Sequence, residues 1–201
     1  MSKLRIVIAD DESLVRLDLR EMLEEAGHLV VGEASNGQQA IEVIRAEKPD
    51  IVIMDVKMPV LDGLETTKVL SDLGYPVLLL TAFDKLSIIE RAKKVGAINY
   101  LVKPVSEQDV LPAVEMTYAL HLKLASLRRE AEMARRALDR RKIIEKACSA
   151  YARKSGLDHD EAYHRMAKLA MDKNKPLYQL AGEILKLLSG NEMRMEKAVN
   201  M

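Results

Sequence analysis

Residues 51–54, Ile-Val-Ile-Met, form a short, apolar run rich in β-branched residues, with Pro49-Asp50 before it, Asp55 immediately after it and Pro59 four residues further on. A run this short, without polar alternation, reads as a strand buried on both faces, as found inside a parallel sheet. A carboxylate directly behind it then sits at the carboxyl end of that strand. In an open α/β sheet this is the edge where ligands and chemistry collect. Taken alone, Asp55 could equally cap the loop that follows.

The rest of the first half supplies the sheet. Residues 4–9 read as a strand ending at Asp10-Asp11. Residues 12–26 read as a helix with Leu14, Leu17, Met22 and Leu23 on helical spacing, stopped by Gly27. A strand over 29–34 and a helix with Ala40, Ile41 and Ile44 inward precede the 51–54 strand. Residues 64–73 read as a helix and 76–80 as a strand ending at Thr81-Ala82. Residues 86–95 read as a helix, and 98–102 as a fifth strand before Lys103-Pro104. This alternation predicts an α/β doubly wound, five-stranded parallel sheet. Right-handed crossovers put the strand carboxyl ends on one edge, so Asp10, Asp11, Asp55, Thr81 and Lys103 should converge there.

Three clustered carboxylates repel one another and call for a hard divalent cation, and oxygen ligands with retained waters suit Mg2+. That cation and the Lys103 ammonium could hold the oxygens of a phosphoryl group, with the Thr81 hydroxyl donating to a third. The implied nucleophile is Asp55, and the product an acyl phosphate.

With Asp10-Asp11, Asp55, the loop over 58–63, Thr81-Ala82 and Lys103-Pro104 in this order and spacing, residues 1–120 resemble the receiver domain of two-component response regulators. The resemblance implies a flavodoxin-like fold and Asp55 as phosphoacceptor, fed by a phosphohistidine on a sensor histidine kinase. It implies Mg2+ held directly by Asp11, mainly through water by Asp10, and by Asp55 and the backbone carbonyl of Lys57. Thr81 and Lys103 would hold the phosphoryl group, and a cis peptide is expected at Lys103-Pro104. Tyr100 is similar in position to the family's switch aromatic, which turns inward as the threonine moves toward the phosphate. A half-buried strand tyrosine accounts for that residue as well.

Charge divides the chain. Residues 1–109 hold 13 Lys and Arg against 19 Asp and Glu, and residues 110–201 hold 18 against 12, so halves of −6 and +6 sum to zero. A basic half suits a polyanionic partner, although ordinary scatter of surface charge can produce the same split. Cys148 is the only cysteine, which excludes an internal disulfide and reads as core packing. No apolar run approaches the roughly 20 residues of a membrane span, and the N-terminus leads into a strand without a signal-peptide core. A soluble, cytoplasmic protein with no membrane partner is expected. His28, His121, His159 and His164 fall at no ligand spacing, so a turnover enzyme is not expected.

Beyond Ser106, placed to cap a helix, Val110, Ala113, Thr117, Leu120, Leu124, Leu127, Ala131, Ala134 and Leu138 alternate spacings of three and four. This heptad seam predicts a coiled-coil linker helix over 110–139 and a parallel homodimer. The other reading is a single helix folded back on its own first half. Pro112 is tolerable near the first turn.

From Arg140 the apolar face widens through Ile143, Ile144, Ala147 and Tyr151. Asp158, with Glu161 three residues on, has the spacing of a capping box. The helix it opens would turn Ala162, Met166, Leu169 and Ala170 inward. Pro176 opens a last helix lined by Leu177, Leu180, Ala181, Ile184, Leu185 and Leu188 and ending near Gly190. Residues 140–190 thus read as a small all-α three-helix domain and 191–201 as a tail. DNA readers, RNA binders and dimerisation modules share this outline.

Residues 141–150, 156–163, 169–175 and 180–184 resemble an ANTAR domain, and the combination with a receiver and a coiled coil resembles antitermination regulators of the ethanolamine-utilisation type. The resemblance implies a homodimer on activation that binds paired RNA hairpins in a leader transcript and so prevents a terminator hairpin from forming. Arg165, Lys168, Lys173, Asn174 and Lys175 are the RNA-contact candidates. A DNA-binding response regulator is the alternative. A protein-binding module would show an exposed apolar patch on the last helices, which the pattern does not clearly provide.

Overall fold

The computed structural model describes residues 3–82, 90–91 and 94–199, with side chains through Ser189. The chain divides into two compact units, residues 1–126 and 127–201.

In the first unit, β1 (Arg5–Ala9), β2 (Leu29–Ala34), β3 (Ile51–Asp55), β4 (Val77–Thr81) and β5 (Asn99–Val102) form one sheet of order β2-β1-β3-β4-β5. All four pairings are parallel. Period-two geometry sends alternate residues to opposite faces, and here both faces are covered. Val7, Val52, Met54, Val77 and Leu79 join a core with Ala40 and Ile44 of α2 (Gly37–Glu47) and Leu64 and Leu70 of α3 (Gly63–Asp72). Ile6, Ile8, Ile51, Ile53, Leu78 and Leu80 join the opposite core with Leu19 and Leu23 of α1 (Ser13–Glu25) and Val110, Ala113 and Val114 of α4 (Glu107–Ser155). The doubly wound sheet expected from the sequence is therefore present.

Local chemistry sets the turns. The Asn36 side chain accepts from Gln39 N–H at 2.9 Å to start α2, and that of Asp62 accepts from Glu65 N–H at 2.7 Å to start α3. Gly27 has φ +87°, the left-handed value a residue with a side chain rarely adopts, and it closes α1. The Lys103-Pro104 bond is cis. Of the helix expected over 86–95, residues 86–89 and 92–93 lie outside the described residues, and Glu90, Arg91 and Lys94 are helical.

The inner face of α1 differs in part from the expected one. Leu14 and Leu17 are exposed, while Leu19 and Leu23 are buried with Val15 and Met22 against them. Met22 and Leu23 lie inward as expected, but the helix carries leucines on more than one side, so spacing alone did not separate Leu14 and Leu17 from the buried Leu19.

The long helix α4 is continuous over 49 residues and contains Pro112 in its second turn. Ser106 meets it in reverse of the expected cap, because both its N–H and its hydroxyl donate to the Asp109 carboxylate, at 3.0 and 2.6 Å. The expected seam over 110–139 is also shortened. Val110, Ala113 and Thr117 are buried within the first unit, and the bare apolar stripe comprises Leu120, Leu124, Leu127, Ala131, Ala134 and Leu138.

In the second unit, the last turns of α4 pack with α5 (His159–Asp172) and α6 (Leu177–Val199) around Ala147, Cys148, Ala152, Ala162, Met166 and Ala181. Asp158 caps α5 by accepting from Glu161 N–H at 2.7 Å, at the capping-box spacing. Leu169 is exposed rather than inward. The helix expected to stop near Gly190 runs on to Val199. Residues 191–199 contain no proline and several good helix formers, so propensity carries the chain past one glycine.

Candidate functional site

The carboxyl edge of the sheet collects the strand-terminal residues. Asp10 follows β1 and is fully buried, Asp55 ends β3 with 5 % of its surface exposed, and Thr81 ends β4 with 2 %. Lys103, one residue beyond β5, lies between the two carboxylates. Its Nζ is 2.6 Å from Asp10 Oδ2 and 2.7 Å from Asp55 Oδ1. Backbone donors take the other carboxylate oxygens, with Glu12 N–H on Asp10 Oδ1 at 3.0 Å and Lys57 N–H on Asp55 Oδ2 at 2.6 Å. Lys103 N–H also donates to the Thr81 carbonyl at 2.7 Å, which ties the ends of β4 and β5 together.

The electrostatics follow from this geometry. Burial raises the Asp55 pKa, and the Asp10 charge adds to the rise. The hydrogen bond and charge of Lys103, with the Lys57 N–H, oppose it without cancelling it. For Lys103, burial alone would favour the neutral amine, but its hydrogen bonds to Asp10 and Asp55 and their charges together hold its pKa above the usual value. The two directions are consistent. One ammonium faces two carboxylates and is well served, whereas each carboxylate shares a single cation.

Asp11 is exposed and lines an open cleft of about 420 Å³ with Lys57, Met58, Pro59 and Asp62. Among the described residues, no three carboxylate, imidazole or thiol side chains form a ready metal cage. The residues nonetheless fit a hard divalent cation. The donors are oxygens, and Asp55 carries a charge that its surroundings leave under-compensated, which a second cation beside it would relieve. Tyr100, on β5, is 36 % exposed, a partly exposed strand position.

Two contributors had no role of their own assigned from the sequence. Arg16 on α1 donates from Nη1 to the Asp10 carbonyl at 2.7 Å and from Nε to Glu33 Oε2 at 3.0 Å, so it braces the β1 end of the site. Nothing in the pattern distinguishes it from a solvated arginine. Gly63 lies where a Cβ would overlap the Asp55 carbonyl oxygen and press on Val56 Cα at 3.0 Å. The Asp-Gly pair ahead of a helix was a usable signal for such a close approach.

The RNA-contact candidates of the second unit are all exposed. Arg165 pairs with Glu161 at 2.8 Å and Lys175 with Glu183 at 2.7 Å, while Asn174 has φ +50° in the turn between α5 and α6. Lys168 and Lys173 make no ion pair among the described residues.

Comparisons with known proteins agree with this division. The family model of the response regulator receiver domain matches residues 6–115, and that of the ANTAR domain matches residues 132–185. The transcriptional regulatory protein PdtaR of Mycobacterium tuberculosis is 39 % identical over 185 residues, covering 92 % of this chain and 90 % of its own length. The chemotaxis protein CheY of Thermotoga maritima is 34 % identical over 112 residues, 55 % of this chain and 93 % of its own. Among solved structures, a CheY-like receiver domain protein from Methanospirillum hungatei superimposes with a TM-score of 0.57 at 25 % identity, covering 61 % of this chain and 98 % of that one. Among the described residues, no helix is long and apolar enough to cross a membrane.

Proposed function

The chain belongs to the response regulators that join a receiver domain to an ANTAR domain, and from that premise we propose that it is a phosphorylation-switched antiterminator that grips RNA hairpins as a dimer. The supporting observation is the meeting of Asp10, Asp55, Thr81 and Lys103 at one sheet edge, in a chain whose residues 132–185 match ANTAR domains. Its parts are a receiver over 1–120, a linker over 110–139 and an output domain over 140–190 followed by the last turns of α6, in a cytoplasmic protein.

Asp55 is the nucleophile. Its carboxylate oxygen forms a bond to phosphorus as the phosphorus–nitrogen bond of a kinase phosphohistidine breaks. Lys103, already on Asp55 Oδ1, stabilises charge on the arriving phosphoryl oxygens, and the Thr81 hydroxyl donates to another. Mg2+, held by Asp10, Asp11, Asp55 and the Lys57 carbonyl, would supply the further positive charge that three carboxylates and a phosphoryl group require. Tyr100 follows Thr81 as it moves, turning from its partly exposed position into the fold.

The reading is tested by binding of a two-hairpin leader RNA, with and without Mg2+ and acetyl phosphate, by wild type and Asp55→Ala. Binding should tighten with the donor in wild type alone. Equal binding in both proteins removes the switch, and preference for duplex DNA over RNA removes the antiterminator role.

The bare stripe of Leu120, Leu124, Leu127, Ala131, Ala134 and Leu138 supports a second copy of this chain as the dimer partner, because a three-four repeat is what a parallel coiled coil interdigitates. Leu124→Glu with Leu127→Glu should leave the folded monomer intact, since both side chains are exposed in it. Losing two buried leucines at about 2 kcal/mol each should weaken self-association by about 100-fold or more, read by sedimentation equilibrium in the presence of the phosphodonor.

A further inference from the structure

The second unit contains a cavity of about 470 Å³ between α4 and the first turns of α5 that the roles assigned above leave unused. Its floor includes Ile144 and the buried Cys148. Tyr163 forms one wall, and Arg140, Arg141 and Glu145 stand on the α4 side. Apolar floor, aromatic wall and charged rim together suit a flat ring with a polar edge and an attached anion.

We propose that this cavity receives one unpaired base of an RNA hairpin loop, stacked on Tyr163, with its amino edge toward Glu145 and its backbone phosphate at Arg141. The inference rests on the RNA-binding reading and deepens it, by moving base recognition from the basic turn to the α4–α5 cavity. Five observations carry it.

Tyr163 is 41 % exposed although its neighbours Ala162 and Met166 on α5 are buried, so a large apolar ring faces solvent beside an open cavity. The His164 ring meets it edge-on at 6.2 Å, which limits its freedom. Arg141 and Glu145 make no ion pair or hydrogen bond among the described residues, so a cation and an acceptor remain available at the rim. Arg140, by contrast, lies 4.4 Å above the Tyr178 ring, a cation–π contact that fixes one side of the opening. Two of the RNA-contact candidates are already paired, Arg165 with Glu161 and Lys175 with Glu183. Base stacking on an aromatic ring is the usual way proteins hold unpaired RNA, and a carboxylate accepts from base amino groups but not from base carbonyls.

The test uses the full-length protein, Mg2+ and acetyl phosphate, and a pool of two-hairpin RNAs with randomised loops. Tyr163→Ala should weaken binding of the enriched RNAs by roughly ten-fold or more, the worth of one stacked base. Tyr163→Phe should remain within about two-fold of wild type, because stacking needs the ring and not the hydroxyl. Glu145→Gln should enrich a different base at one loop position, a change that a purely structural role would not produce. Melting by circular dichroism confirms that the variants remain folded. The inference is overturned if Tyr163→Ala and Glu145→Gln bind and select as wild type does, while Lys173→Ala with Lys175→Ala loses binding; antitermination by RNA binding then stands. If wild type enriches no RNA at all, the RNA reading fails and this inference with it.

Discussion

Asp55→Asn is expected to leave the protein folded and to abolish its phosphorylation, with label from acetyl phosphate at least about 100-fold below wild type. A carboxamide oxygen is a poor nucleophile and cannot give the acyl phosphate. The same substitution removes a charge that the fold holds at a cost. Burial and the Asp10 charge raise the Asp55 pKa, so the folded state binds its proton more tightly than the unfolded chain does. That contribution favours folding below the unfolded value near 3.8 and is lost as pH rises through the raised folded value. At neutral pH the neutral asparagine should therefore match or exceed wild type in melting temperature, and the advantage should shrink on acidification toward pH 4. A variant that melts well below wild type at pH 7 would contradict this picture of the site. Loss of the acceptor for the Lys57 N–H works against the gain, so the pH trend is the decisive readout.

Gly63→Ala should damage the same site without touching a charged group. A Cβ there overlaps the Asp55 carbonyl oxygen and crowds Val56 Cα, and both are backbone atoms that cannot swing aside. The N-terminus of α3 would have to withdraw from the end of β3, straining the 2.9 Å bond from Gly63 N–H to the Val56 carbonyl and the Asp62 cap. A cost of about 2–4 kcal/mol is expected, lowering the receiver's melting temperature by roughly 10 °C. Phosphorylation should fall as well, because the displaced carbonyl belongs to Asp55. Unchanged melting would mean that the loop has slack.

The sheet and the gathering of residues at its carboxyl edge were legible because each depends on local sequence. Short apolar runs make two-faced strands, and Asp10, Asp55, Thr81 and Lys103 each lie at or just beyond a strand end, so topology alone brings them together. Partners across the fold were harder to see. Leu23 was expected inward and is buried, but Leu14 and Leu17 have the same spacing as a buried stripe and are exposed while Leu19 is buried, because a helix apolar on several sides takes its phase from what covers it. The seam along α4 shows the same limit at larger scale. Its period continues unbroken while Val110, Ala113 and Thr117 are buried within the receiver and Leu120 to Leu138 stay bare. Arg16 was invisible for a different reason. Its target is a backbone carbonyl, which leaves no mark in the sequence. The α4–α5 cavity needs two helices at a fixed angle, and no pattern along one chain encodes that.

The buried centre of the output unit is rich in small side chains. Ala147, Ala152, Ala162 and Ala181 fill its centre beside Cys148 and Met166, whereas the largest fully buried side chains among the described residues all belong to the receiver. Each ordered alanine gives up backbone freedom comparable to that of a leucine but removes far less apolar surface from water. A centre of this kind specifies close helix approach while holding little stability of its own. Whatever covers more of its surface, a second copy or an RNA loop, then adds to its folding free energy by mass action. For a module that already folds alone, a partner that covers it would raise its melting temperature, so the proposed assembly and the firmness of the output unit should rise together.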